Sequence, residues 1–305
     1  MKNGKGKEYY PNGNIKYNGE YYYGMKWNGF EYDSNNNIIY ELEKGKGYVK
    51  EYDSFGILKF EGEYLNGMKN GKGKEFNNYG RLIFEGEYLN GLRNGIGREY
   101  DYNNSLIFNG KYIYGHRLTG KEYINDILVF EGDYLYDKNW NGKGYDKNGN
   151  VIYELINGNG KIREYYYNGK IRYEGEYLNG KRNGKGKEYN NNCKLLFEGE
   201  YLNGKRNGKG KEYNNNYKLL YEGEYFNGKR NGKGKEYDDY GKLLFEGEYL
   251  NGEKWNGKGK EYNHDGKLLF EGEYLSGGRC GDAKEYDDNG NLIYEGKYLF
   301  DHKMK

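Results

Sequence analysis

The sequence has few of the residues that build helices, disulfide frameworks or membrane spans. Its 305 residues include one alanine (Ala283), one proline (Pro11) and two cysteines (Cys193 and Cys280). Alanine is the strongest helix former, so its near absence argues against a helical protein. Two isolated cysteines do not make a disulfide framework or a metal site, and they favour a reducing compartment. No apolar run approaches the roughly 18 residues of a membrane helix, and no signal peptide is recognisable. We therefore expect an intracellular, cytoplasmic protein.

Aromatic residues and glycine are abundant. The chain has 41 Tyr, 12 Phe, 3 Trp and 52 Gly, and its formal net charge is only +2. A mean hydropathy of −1.24 would suit a disordered chain, but disordered chains are typically poor in aromatics and high in net charge. The composition instead favours strands and turns. An isoelectric point near 8.1 does not mark a nucleic-acid-binding protein, so we do not expect a nucleic-acid partner.

An internal repeat organises the whole sequence. An aromatic residue, usually followed by Glu-Gly, recurs every 20–25 residues and divides residues 18–294 into twelve repeats. Partial units remain at 1–17 and 295–305, and no linker interrupts the series. We predict that residues 1–305 form a single continuous repeat array.

Each repeat contains the Asn-Gly signature of a β-hairpin, because both residues tolerate the positive φ of tight turns. In the repeat around residues 198–221, Asn-Gly-Lys-Arg-Asn-Gly separates two extended stretches. We predict a loop at 203–208 that places Leu202 opposite Lys209, Tyr201 opposite Gly210 and Glu200 opposite Lys211. Gly210 would then leave a gap that the Tyr201 ring covers.

Stacking of the repeats supplies the stability that one hairpin lacks. A lone two-stranded hairpin is marginal in water, whereas stacked repeats sum the contacts between neighbours. We predict an all-β fold: an elongated, single-layer, twisted antiparallel sheet of about twelve stacked hairpins, without an enclosed pocket.

The spacing Tyr-x-Gly-x-Tyr-x2-Gly-x3-Gly-x-Gly resembles the MORN (membrane occupation and recognition nexus) repeat. Two copies carry it at Tyr173, Gly175, Tyr177, Gly180, Gly184 and Gly186, and at Tyr221, Gly223, Tyr225, Gly228, Gly232 and Gly234. Three more have Phe in first place: one at Phe197, Gly199, Tyr201, Gly204, Gly208 and Gly210, and two in the segments 60–73 and 84–97. Other segments are similar to the variant repeat of bacterial antitoxin-like proteins. The resemblance implies stacked hairpins and a scaffold role.

Basic residues cluster at the Asn-Gly turns, where like positions of stacked hairpins align about every 9.6 Å. Lys181, Arg182, Lys205, Arg206, Lys229 and Arg230 are therefore a candidate edge for contact with an anionic membrane. The alternative is a solvated edge that keeps the turns soluble and prevents lateral aggregation.

Residues suited to catalysis are sparse. His116, His264 and His302 have no cysteine or carboxylate cluster at metal-ligand spacing beside them. Neither a nucleophile motif nor a phosphate-binding loop followed by a helix is present. We predict no catalytic residues, cofactor or metal, and hence a protein that is not an enzyme.

These expectations combine in one functional hypothesis. We predict a non-enzymatic scaffold that binds a protein partner, or its own copy as a homo-oligomer, through the aromatic and glycine face of the sheet. The irregular units 41–60, 109–130 and 154–173 would select the partner. The alternative is peripheral association with a membrane of anionic phospholipids through the Lys/Arg edge.

Overall fold

Strands and short turns make up the described chain, residues 2–263 and 265–304, in a computed structural model. No helix occurs in these residues. The chain divides into two compact units, Met1–Glu154 (unit 1) and Leu155–Lys305 (unit 2), which are described separately.

Unit 1 contains thirteen strands and the beginning of a fourteenth. They are β1 (Gly4–Tyr9), β2 (Ile15–Tyr22), β3 (Met25–Tyr32), β4 (Ile38–Leu42), β5 (Gly47–Tyr52), β6 (Leu58–Leu65), β7 (Met68–Phe76), β8 (Leu82–Leu89), β9 (Leu92–Tyr100), β10 (Leu106–Ile113), β11 (His116–Ile124), β12 (Ile127–Leu135), β13 (Lys138–Tyr145) and β14 (Val151–Ile156).

Unit 2 begins within β14 and contains thirteen further strands. They are β15 (Asn159–Tyr165), β16 (Ile171–Leu178), β17 (Lys181–Tyr189), β18 (Leu195–Leu202), β19 (Lys205–Tyr213), β20 (Leu219–Phe226), β21 (Lys229–Tyr237), β22 (Leu243–Leu250), β23 (Glu253–Tyr262), β24 (Leu268–Leu275), β25 (Gly278–Tyr286), β26 (Leu292–Leu299) and β27 (His302–Lys303).

The pairing follows chain order and is antiparallel. In unit 1, strands β1 to β4 form one sheet and β5 to β13 pair in chain order, and in unit 2 the strands from β14 to β27 pair in chain order. Among the described residues, β2 to β25 supply twelve successive hairpins, flanked by β1 and by β26 with β27. The predicted all-β fold of stacked hairpins is therefore confirmed. That the chain is one continuous array stays a prediction.

The turn of each regular hairpin is tighter than predicted. Leu202 pairs with Lys205, not with Lys209, so only Asn203 and Gly204 form the turn. Their φ values of 51° and 90° are those of a two-residue hairpin turn whose twist matches that of the strands. The predicted loop at 203–208 and its register are wrong, because the first Asn-Gly pair alone reverses the chain.

The second Asn-Gly pair lies in a β-bulge. The register shifts between Gly199, which pairs with Gly210, and Tyr201, which pairs with Arg206. In the bulge Gly208 has a φ of 87°, and the Glu200 carboxylate accepts a hydrogen bond from the Lys209 backbone N–H at 3.0 Å. Glu200 alone thus lies opposite Asn207, Gly208 and Lys209, and the two extra residues shift every later pair.

The bulge also corrects two predicted pairs. Gly210 lies opposite Gly199, not opposite Tyr201, and Lys211 lies opposite Glu198, not opposite Glu200. The faces of the strands are nevertheless as predicted, since Phe197, Gly199 and Gly210 remain on one face.

Successive hairpins are tied together at their turns. The Gly204 N–H donates to the Arg182 carbonyl at 2.8 Å, and the Gly228 N–H donates to the Arg206 carbonyl at 2.8 Å. The bulge asparagine adds a second link, since the Asn207 side-chain oxygen accepts from the Asn227 N–H at 3.3 Å. Each turn therefore rests on the hairpin before it.

The loops at the opposite ends of the strands are closed by their own first side chain. The Asp238 carboxylate accepts hydrogen bonds from the Tyr240 N–H at 2.9 Å and the Lys242 N–H at 2.8 Å. Asn190, Asn214 and Asn263 begin their loops in the same way. This short-range bonding explains the Asn- and Asp-rich segments between repeats.

The short units 41–60 and 154–173 replace glycine with aliphatic residues. Val49 pairs with Gly62 and Ile162 with Gly175, whereas a regular repeat pairs Gly210 with Gly223. Val49, Leu155 and Ile162 are buried. In these units an aliphatic side chain occupies the core position at which a regular repeat has a glycine covered by an aromatic ring.

Candidate interaction surface

Aromatic rings and glycines form the core on one face of the sheet. The Phe197 ring packs edge-to-face with Tyr201, at 5.6 Å between centroids, and with Tyr225 of the next hairpin, at 5.3 Å. A Cβ added to Gly210 would lie 2.5 Å from Phe197 Cζ, so the ring lies directly over the glycine. Phe197 is 0% exposed and Tyr225 is 4% exposed.

The same contact repeats through both units. In unit 1 the edge-to-face series runs through Phe60, Tyr88, Phe84, Tyr112, Phe108, Tyr134 and Phe130. In unit 2 it runs through Tyr173, Tyr201, Phe197, Tyr225, Tyr221, Tyr249, Phe245, Tyr274, Phe270, Tyr298 and Tyr294. Centroid distances of this kind make the ring pairs favourable beyond their buried area.

The glycines that define the repeat take three positions. The cross-strand pairs are Gly175 with Gly186, Gly199 with Gly210, and Gly223 with Gly234. Gly180, Gly204 and Gly228 lie in the turns, and Gly184, Gly208 and Gly232 lie in the bulges, all with positive φ. The first ring of each copy (Tyr173, Phe197 or Tyr221) is fully buried, and Tyr177 is partly buried.

Burial of the rings corrects the expected binding face. We expected the aromatic and glycine face to meet a partner, but the rings already pack against each other and the glycines. A partner would reach them only if the arginine side chains that stack on them moved away. The interaction surface therefore has to be sought among the exposed side chains.

A ladder of arginine and glutamate covers the rings. The Arg206 guanidinium lies 4.0 Å from the Phe197 ring centroid, donates to Glu212 of its own hairpin at 3.0 Å and to Glu188 of the preceding hairpin at 2.6 Å. Arg230 makes the same contacts with Tyr221, Glu236 and Glu212. Each arginine thus ties two hairpins together and stacks on the core.

Electrostatics around Glu164, a member of the ladder, favour its charged carboxylate. Burial opposes ionisation of Glu164, but the hydrogen bond and charge of Arg182 outweigh it and lower the pKa of Glu164 to about 2. Burial raises the pKa of Tyr221 to about 12, and burial together with Glu188 raises the pKa of Tyr201. The face is therefore a neutralised network, not a free basic surface.

The six residues of the candidate anionic edge separate into two groups. Arg182, Arg206 and Arg230 are ladder residues whose charges are paired with glutamate. Lys181, Lys205 and Lys229 are exposed, and no carboxylate pairs with them in the part of the chain that the structure describes. Contact with an anion stays a prediction, and only the lysines are free to make it.

Three further lysines extend this basic group. Lys185, Lys209 and Lys233 also lack an ion pair within residues 2–263 and 265–304, because the glutamates opposite them are Glu200, Glu224 and Glu248 and two of these bond to bulge backbone. The register places these lysines on the face away from the ladder arginines.

An apolar row lies beside the turns on the opposite face from the rings. The last strand residue before each turn follows the core tyrosine and so points away from the core. Leu202 is 51% exposed and Phe226 is 65% exposed. The turn-side row consists of Leu65, Leu89, Ile113 and Leu135 in unit 1, and of Leu178, Leu202, Phe226, Leu250, Leu275 and Leu299 in unit 2.

The remainder of that face is a neutral grid of lysine and glutamate. Lys211 lies 3.6 Å from Glu222, Lys235 lies 3.0 Å from Glu246, and similar pairs recur along the strands. Exposed pairs of this kind contribute little to stability, so the grid mainly keeps the face soluble.

The described residues contain no group of three or more His, Cys, Asp or Glu side chains that could hold a metal ion. His116 instead pairs with Asp137, at 2.6 Å between Nδ1 and Oδ2. His264 lies outside the described residues. Within the described part of the chain, no helix has the length and apolar character needed to span a membrane.

Comparison with known protein families identifies many of the same repeats. The MORN repeat profile matches residues 60–81, 84–106, 173–194, 197–217 and 221–242. The profile of the MORN repeat variant matches residues 2–21, 158–179, 255–275 and 279–299. Together these segments cover more than half of the chain. No curated protein matches the chain.

Similar solved structures are far larger than this chain. They include TcdB2-TccC3 without its hypervariable C-terminal region and the Photorhabdus luminescens Tc holotoxin pore. Each is 12% identical, with a TM-score of 0.21. The matches cover 96% and 88% of this chain but only 18% of each of those chains. The chain thus spans less than a fifth of the length of the proteins it matches.

Proposed function

Since the chain belongs to the MORN repeat family, whose members generally bind proteins or membranes, we propose that it is a non-enzymatic scaffold that binds a partner protein through its turn-side row. The supporting observation is that each regular hairpin exposes one large apolar side chain at the same place.

The exposed row is not required by the core. The buried rings lie on the other face, and Leu202 and Phe226 remain about half exposed or more. Removing apolar area from water contributes about 25 cal/mol per Å², so a partner that covered several members of the row would gain considerable binding energy. Aligned apolar side chains on a protein surface commonly mark an interaction site.

The irregular units would determine where the partner binds. Because the regular hairpins present the same side chains, a partner protein would bind equally well at several of them. The regular hairpins alone therefore do not determine where the partner binds. The short units 41–60 and 154–173 interrupt the ring and arginine pattern with Val49 and Ile162. A partner that spans such an interruption would bind in one register only.

The test replaces Leu202 and Phe226 with Asn in one chain. We expect a protein that the wild-type chain captures from its native host to be lost from this variant. Because both side chains are exposed, circular dichroism and thermal unfolding should be unchanged. The control replaces Lys211 and Lys235, on the charged grid, with Gln and should still capture the protein. Equal capture by all three chains would contradict the proposal.

A second candidate function is contact with an anionic membrane through the free lysines of unit 2. The observation that favours it is the lack of carboxylate partners for Lys181, Lys205 and Lys229 within the described residues. Each basic residue near an anionic surface contributes about 1 kcal/mol, and salt weakens the attraction.

Vesicle co-sedimentation tests this candidate. The chain should sediment with phosphatidylcholine vesicles containing phosphatidylserine, less so at high salt, and not with pure phosphatidylcholine. Replacing Lys181, Lys205 and Lys229 with Gln should weaken sedimentation. Replacing Lys187, Lys211 and Lys235, which pair with glutamate, should not. No sedimentation of the wild-type chain at physiological salt would exclude the candidate.

A further inference from the structure

One hairpin of unit 1 departs from the lysine pattern of β17, β19 and β21 in unit 2. Leu92 pairs with Leu89 as Lys205 pairs with Leu202, so Leu92 stands where these three strands have lysine. The Ile96 N–H bonds to Glu87 as the Lys209 N–H bonds to Glu200, so Ile96 also replaces a lysine. Two charges per hairpin have thus become two apolar side chains.

These side chains are exposed beside the turn-side row. Leu89, Leu92, Ile96 and Ile113 are 46%, 48%, 60% and 41% exposed, respectively, and we call these four residues the unit 1 patch. The fold does not demand them, since Lys205, Lys209 and their equivalents occupy the same places in unit 2. Their apolar character therefore has a purpose other than folding.

We propose that the unit 1 patch binds the same patch of a second copy of this chain across a two-fold axis. In such a contact a surface meets its own copy, so each charge confronts a symmetry-related residue. In the arrangement described below, a lysine at position 96 would face Lys111 of the other copy, whereas isoleucine packs against the aliphatic stem of that lysine. This inference rests on the proposed function, in which the turn side is the binding surface.

The charges around the patch define the axis. At one level across the strands lie, in order from β7 to β12, Lys72, Glu87, Ile96, Lys111, Thr119 and Asp133. A two-fold axis parallel to the strands, between β9 and β10, superposes β9 on β10, β8 on β11 and β7 on β12. It sets Lys72 opposite Asp133 and Ile96 opposite the aliphatic stem of Lys111.

Two neighbouring axes are unfavourable. An axis between β8 and β9 would set Lys111 opposite Lys72, and one through β10 would set Glu87 opposite Asp133. Neither Lys72 nor Asp133 has an ion pair among the described residues, so both are free to pair between copies. Like charges placed together at an interface are strongly unfavourable, so both of these axes are disfavoured, whereas the axis between β9 and β10 sets Lys72 opposite Asp133.

The first test restores the lysine pattern. The double variant Leu92→Lys, Ile96→Lys carries what the regular hairpins of unit 2 already carry, so its thermal unfolding should match that of the wild type. Sedimentation velocity should show a concentration-dependent dimer of the wild-type chain and a dimer dissociation constant raised by roughly a hundredfold in the variant. The control Tyr217→Lys, Tyr240→Lys changes two exposed aromatics on loops of unit 2 and should leave the dimer intact.

The second test exchanges the charges. Lys72→Asp and Asp133→Lys should each weaken the dimer by about tenfold, and the two changes together should restore it. A monomeric wild-type chain, a dimer unaffected by the lysine variant, or a charge exchange that does not restore the dimer would each overturn the proposal. The capture test with Leu202 and Phe226 is independent, so the proposed function survives or fails separately.

Discussion

At the scale of single residues, Arg206, two residues after the turn glycine Gly204, has three partners at once. Arg206 stacks on the Phe197 ring and bonds to Glu188 and Glu212. Stacking and paired hydrogen bonding are properties of the planar guanidinium that lysine does not share. One side chain therefore joins the core to the ladder and one hairpin to the next.

Arg206→Ala should destabilise the protein by about 1–3 kcal/mol, because it leaves two partly buried glutamates without their shared cation. Arg206→Lys keeps the charge but not the two-way bonding, so its loss should be smaller. Denaturant unfolding of both variants measures the difference. A loss for Arg206→Ala no larger than that for Lys211→Ala, on the exposed grid, would refute the ladder.

Gly210→Ala tests the fit of ring over glycine. The new methyl group would lie 2.5 Å from Phe197 Cζ, and overpacking of this kind costs about 1–3 kcal/mol. The chain contains its own control, since Ala283 pairs with Gly272 as Gly210 pairs with Gly199. Ala283→Gly should change the free energy of unfolding by less than about 1 kcal/mol. Equal effects would show that the ring does not exclude a methyl group.

At the scale of the hairpin, a two-residue turn and a bulge replace the loop that the sequence pattern predicts. Asn-Gly occurs twice within six residues, and both pairs tolerate positive φ. Only the contacts of Glu200 with the bulge backbone, and of Gly204 with Arg182, distinguish the two pairs. Local sequence preference alone leaves both registers open.

Gly204→Ala separates these registers. The turn glycine has a φ of 90° and no atom within 4 Å of an added Cβ, so the substitution introduces backbone strain without a steric clash. We expect a loss of about 1–2 kcal/mol in the free energy of unfolding. The Lys205→Ala variant, in the neighbouring strand, should lose less than about 0.5 kcal/mol. An unchanged stability of Gly204→Ala would indicate the longer, relaxed loop.

At the scale of the whole molecule, stability is a sum over neighbouring hairpins, and tyrosine contributes to most of the contacts. The phenols of Tyr17 and Tyr221 are buried, which raises each pKa to about 12, and burial raises the pKa of Tyr88 and Tyr112 as well. Because the repeat places a tyrosine in the core of most hairpins, a raised phenol pKa recurs along both units.

Alkaline pH should therefore unfold the protein cooperatively. Each of these phenols ionises near pH 10 in the unfolded chain but at higher pH in the folded chain. Their stabilising contribution is complete below about pH 10 and declines as pH rises toward about 12, because the unfolded state then binds fewer protons. Ultraviolet absorbance of tyrosinate should rise steeply together with the loss of sheet circular dichroism. Gradual ionisation with the sheet intact would contradict the buried tyrosine series.

The sequence by itself determined the hairpin repeat, its number and the all-β fold, because period, Asn-Gly turns and aromatic–glycine alternation are local properties of the chain. Only the tertiary structure decided which Asn-Gly pair turns, which face stays exposed and which basic residues are free. Those outcomes depend on contacts between hairpins: Phe197 reaches Tyr225, and Arg206 reaches Glu188. The residue pattern within one repeat does not reveal which side chains of the next hairpin it will contact. Those contacts are fixed only when the backbone register brings the two hairpins together.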